Sequence, residues 1–161
     1  MSVTLNFKTQ LMVDKLLAHA KLIMEEQGGL APVAFIGTND GKIGMIMPSS
    51  MNDQDEKEAF AQAIREVSKE HKADFVVIFL ESWLRVAKSQ KEHDKFVKSG
   101  KRISEMPDKK EVVFVSVETH DGNFTGHGEI HTDASGKKTF DTPELENTEK
   151  TDGIFTGLLA A

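Results

Sequence analysis

The stretch Asp-Phe-Val-Val-Ile-Phe-Leu at residues 74–80 constrains the fold of this chain more than any other. Successive side chains of a strand point to opposite faces of its sheet, so a run that is apolar at odd and even positions alike needs cover on both sides. The strand therefore belongs in the interior of a sheet, with helices on both faces or with a partner subunit covering one.

Two segments have the periodicity to supply those helices. Over residues 8–27, Val13, Leu16, Leu17, Ala20, Ile23 and Met24 recur at steps of three and four, and Gly28 and Gly29 follow where a left-handed residue ends a helix. A second helix starts at Asp53, whose carboxylate caps free N–H groups, with Glu56 three residues on. It carries Ala59, Phe60, Ala63, Ile64 and Val67 on one stripe and ends near His71. Between the two, residues 33–37 and 42–47 flank Asn39-Asp40-Gly41 and read as a hairpin.

The second half of the chain adds a meander. Residues 111–120 and 123–131 flank Asp121-Gly122, a strong hairpin signal. A two-residue turn there puts Val113, Val115, Val117, Phe124 and Ile130 on a packed face. Ser116, Glu118, His120, Thr125, His127, Glu129 and His131 fall on the wet one. Ser135 and Gly136 mark a further turn, and residues 138–141 make an edge strand. An acidic tail over residues 141–152 precedes an apolar ending, Ile154, Phe155, Leu158 and Leu159, that docks onto the body or onto a second copy. The expected class is α+β: a mostly antiparallel sheet of about five or six strands with two main helices, in one domain over residues 1–161.

Composition narrows the setting. Hydrophobic residues make up 39% and no apolar run reaches the ~20 residues that span a bilayer, so no membrane is expected as a partner. The start of the chain lacks the basic and apolar stretches of a secretory signal and there is no cysteine, which makes a cytoplasmic protein without a disulfide or thiolate metal site the expectation. The net charge of −6 opposes nucleic acid at long range.

Four places invite a search for chemistry. His127 and His131 lie about 13 Å apart if they sit on one strand, too far to share an ion, and only Glu118 and His127 meet as diagonal neighbours in the expected register. Two groups do not make a zinc site. Gly37 and Gly44 face one another if the first hairpin turns at Asp40-Gly41, leaving a notch open to a ligand or another backbone, with a helix or a bulky side chain the expected filling. No GxGxxG or GxxxxGK loop for phosphate is present. Residues 88–110 hold eight Lys or Arg against four Asp or Glu and read as a mobile, solvated segment with a short helix before Gly100. Its Lys95, Lys98, Lys101 and Arg102 are the candidates for nucleic acid, but with one aromatic, Phe96, there is no stacking ladder. Glu81, Ser82 and Trp83 follow the central strand. No GxSxG surrounds the serine, and Trp83 suits a core edge or an interface.

The stretches FVVIFLESWLRV and MPDKKEVVFVSVETHDG, which contain Glu81, Ser82, Trp83, Pro107, Lys109, Glu111 and the Asp121-Gly122 turn, resemble a pattern in small proteins of bacteria and their phages. No function is assigned to that group, so the resemblance brings no activity, cofactor or catalytic residue. The expectation from the sequence is a non-enzymatic binding or assembly module, homodimeric, with Trp83, Phe155 and Leu158 at its interface and no cofactor. A metal-assisted hydrolase using His127 and Glu118, and nucleic-acid binding through residues 88–110, are the alternatives.

Overall fold

The computed structural model describes residues 5–51, 53–84, 90–100, 110–148 and 158–159, apart from the side chains at 83, 84, 93 and 96. Helix α1, Phe7–Gln27, begins at Asn6, whose side chain accepts from the Lys8 N–H, and ends at Gly28 with φ 75°. The hairpin β1, Val33–Gly37, and β2, Ile43–Ile46, leads to α2, Gln54–His71, where the Asp53 carboxylate accepts from the Glu56 N–H as its position foretells. Strand β3 is Phe75–Leu84 and helix α3 is Gln90–Ser99. The meander is β4, Lys110–Thr119, β5, Gly122–Thr132, β6, Lys138–Phe140, and β7, Glu146–Asn147.

These strands form one antiparallel sheet in the order β2-β1-β3-β4-β5-β6, with β7 also on β5. The fold is α+β, and β3 occupies the interior position that its doubly apolar run demands. Phe75, Val77 and Phe79 pack with Val113, Val115 and Val117 beneath the Val13, Leu16, Leu17, Ala20 and Met24 stripe of α1. Val76 and Ile78 pack on the opposite face against Phe60, Ala61 and Ile64 of α2. Helices cover both faces of β3.

Three features differ from the expectation. Strand β3 runs four residues past Leu80 because Glu81, Ser82, Trp83 and Leu84 continue the ladder against Val113, Val112, Glu111 and Lys110. Helix α2 buries Phe60, Ala61, Ile64 and Ser68, so Ala59 faces solvent and its buried stripe is turned by about one position. The β4–β5 hairpin turns at His120-Asp121, with Thr119 opposite Gly122, and the pairing is shifted by two positions from a turn at Asp121-Gly122. A shift of two preserves which face each side chain takes, so Val113, Val115 and Val117 are buried as expected.

A chain crossing fixes the far side of the sheet. A Cβ at Gly128 would overlap the backbone carbonyl of Asp141, and one at Gly126 would press on the carbonyl of Glu144. The two glycines are two residues apart on β5 and so share a face. Their bare backbone lets the segment between β6 and β7 lie directly on the strand.

Candidate functional site

The hairpin β1–β2 forms one end of the sheet, and its loop sets the geometry there. Asn39, Asp40 and Gly41 form a three-residue loop closed by the Thr38 N–H donating to the Lys42 carbonyl at 2.9 Å, with Gly41 at φ 98°. The Thr38 hydroxyl donates to the Asp40 carboxylate, and this hydrogen bond holds that carboxyl below the usual aspartate range. The Asn39 N–H donates to Asp74 Oδ2 at 2.6 Å, which ties the loop to the start of β3.

A three-residue loop shifts the register by one from a turn at Asp40-Gly41. Gly37 pairs with Ile43, and Gly44 pairs with Ile36, so the two glycines do not face each other. Their environments differ accordingly. The Phe75 ring stands over Gly37 where a Cβ would be, whereas at Gly44 only the Ile36 carbonyl comes near, at 3.9 Å. The notch at Gly37 is filled by a bulky side chain, and the one at Gly44 is open.

The open glycine borders a cleft of about 680 Å³ between the hairpin and the C-terminal end of α2. Ile36, Val67 and Ala73 make its apolar floor, and Asp40, Lys42 and His71 its polar rim. Beside it, β2 is the last strand of the sheet; its Ile43 and Met45, and Met47 just past its end, are 46%, 59% and 52% exposed. Apolar side chains at alternate positions of a strand sit on one face. The edge therefore offers solvent an apolar strip together with one row of backbone hydrogen-bonding groups.

The sequence-derived candidates sit elsewhere. Glu118 pairs with Asn123 and His127 with Phe114, so the two lie four register positions apart, about 13 Å along the ladder, and are not diagonal neighbours. His127 is exposed, whereas Glu118 is 8% exposed and accepts from the N–H groups of Leu158 and Leu159 at 3.0 and 2.6 Å. The wet face of the meander is thus closed at Glu118 by the returning tail. Leu158, expected at an interface, is buried in its own chain against the α2 face. Among the described residues no three of His, Asp and Glu come together as a metal site.

His131 pairs instead with Asp141, Nε2 to Oδ2 at 2.9 Å, and His120 Nε2 lies 3.1 Å from the Ala73 carbonyl. Phe155 and the Trp83 side chain lie outside the described residues; the Trp83 backbone pairs with Glu111. Lys95 and Lys98 are exposed on α3, while Lys101 and Arg102 lie outside the described residues. Glu81 has a structural task that no motif announces: its Oε1 accepts from the Leu30 N–H at 2.7 Å and anchors the chain after α1. The exposed β2 strip was legible only as alternation in Ile-Gly-Met-Ile-Met, because the position of a strand at a sheet edge depends on pairing far along the chain.

Fold and site together define an α+β protein with a helix-covered antiparallel sheet that is open at its β2 edge. No protein-family model, curated protein or solved structure matches the chain.

Proposed function

We propose that this chain is a non-enzymatic binding and assembly module that works as a homodimer through the open β2 edge. One observation carries the reading: Ile43 and Met45, on a strand with no outer neighbour, and Met47 directly after it are each about half exposed. Natural edges are blunted by short strands, charge, proline or bulges; here β2 is short and Lys42 and Pro48 flank it, but no charged residue or proline interrupts the run from 43 to 47. The resemblance to small bacterial and phage proteins supports an origin of that kind, and the absence of cysteine fits a cytoplasmic setting. No described helix is long and apolar enough to cross a membrane.

Light scattering over micromolar to hundred-micromolar concentrations tests the proposal. The expected result is a mass that rises from one chain to two, with Met45→Lys held at one chain. A mass of one chain throughout overturns it.

A further inference from the structure

Resting on that assembly reading, we infer that two copies join β2 to β2 in antiparallel register about a two-fold axis at Met45, and that the partner's Ile46 completes the wall of the cleft at Gly44. The hydrogen-bonding phase of the hairpin dictates the register. Antiparallel ladders alternate hydrogen-bonded and non-hydrogen-bonded pairs, and Thr38–Lys42 is a hydrogen-bonded pair. Two residues on, Gly44 with Ile36 and then Ile46 with Ala34 take the same phase, so these residues direct their backbone groups at β1. By the same alternation the N–H and C=O groups of Ile43 and Met45 point outward, with Met47 next in phase just past the strand.

An incoming strand must match that phase. Centring the axis on Met45 sets Met45 opposite the partner's Met45 and Ile43 opposite the partner's Met47, and each such pair can exchange both backbone hydrogen bonds. The axis is perpendicular to the sheet, so it keeps side chains on their own face, and the exposed apolar residues of the two copies cover one another. No charge lies between 43 and 47 to oppose a like charge. On the other face Gly44 meets the partner's Ile46 in a non-hydrogen-bonded pair, the closer kind at about 4.5 Å between Cα atoms. Gly44 leaves that space open, with only the Ile36 carbonyl nearby at 3.9 Å, and it lines the cleft.

The assembly also closes. The opposite end of the sheet offers the three-residue strand β6, which starts at Lys138 and follows Lys137, so head-to-tail addition of β2 to β6 sets lysines beside an apolar strip. An isologous pair uses up the apolar edge that the described residues offer and stops at two copies. A strip five residues long offers less than the ~800 Å² per partner of a standard interface, which puts the pair in the class of weak, reversible assemblies.

The full chain has no cysteine, so engineered thiols report without background. Met45→Cys should oxidise to a disulfide-linked dimer at least tenfold faster than Ile43→Cys or Met47→Cys alone. Each of those thiols is about 13 Å from its own symmetry mate. The double variant Ile43→Cys/Met47→Cys should link as fast as Met45→Cys. A dimer whose three single variants link at equal rates overturns the register and leaves the assembly reading standing. So does a dimer that Met45→Lys leaves intact and that Leu11→Glu, on the outer face of α1, dissociates. A chain that stays monomeric at hundreds of micromolar overturns both. Unchanged thermal melting of Met45→Lys relative to the dilute wild type confirms that the variant folds, since Met45 is 59% exposed.

Discussion

Glu118 shows how one side chain acquires a role that its own strand does not predict. Its carboxylate is buried and receives two consecutive backbone N–H groups, so it caps the returning tail as an N-cap residue caps a helix. In Glu118→Gln one acceptor oxygen becomes an amide donor facing an N–H, and the mismatch should cost about 1–3 kcal/mol in urea unfolding. An unchanged midpoint would mean that the tail contributes nothing to stability. His131 makes the contrasting, exposed pair. Hydrogen bonding and attraction to Asp141 raise its pKa above the ordinary histidine value. Because the folded value exceeds the unfolded one, the contribution of the pair is fully present below about pH 6.5 and is lost as pH rises through the folded value. Ring-proton titration by NMR should place the His131 midpoint above that of the same ring in Asp141→Asn. Coincident midpoints would remove the interaction from solution.

At the scale of elements, β5, next to the edge strand β6, and β2, at the other edge, are treated in opposite ways. Strand β5 is pinned by the 141–145 segment over Gly126 and Gly128, while β2 is left bare. Gly128→Ala should destabilise the fold by about 1–3 kcal/mol through backbone overlap with Asp141. Gly44→Ala, facing open space, should change the stability of the dilute chain by less than ~0.5 kcal/mol. Equal effects at the two sites would refute the crossing. The sequence disclosed the elements well because their signals are local: the α1 stripe, the Asp53 cap and the doubly apolar β3 each depend on residues within one element. It disclosed the registers poorly. Asn39-Asp40-Gly41 and His120-Asp121-Gly122 each admit more than one loop length, and the choice depends on tertiary bonds such as Asn39 to Asp74 and the His120 ring to the Ala73 carbonyl. A shift of two at the second hairpin kept the valines inward but separated Glu118 from His127. A shift of one at the first hairpin parted Gly37 from Gly44 and put an open glycine at the cleft.

For the whole molecule, the consequence is a sheet whose central strand β3 is covered by helices on both faces and whose β2 edge has no outer strand. The cleft, the open glycine and the apolar strip share that edge, so the proposed dimer would change the wall of the cleft. Amide hydrogen exchange resolved by residue tests this most directly, because neighbouring amides of β2 point in opposite directions. The N–H groups of Gly44 and Ile46 bond to β1 and should be equally protected at every protein concentration. Those of Ile43, Met45 and Met47 should exchange freely in dilute solution and become protected as concentration rises through the micromolar range. Free exchange of the outward set at all concentrations would contradict the account.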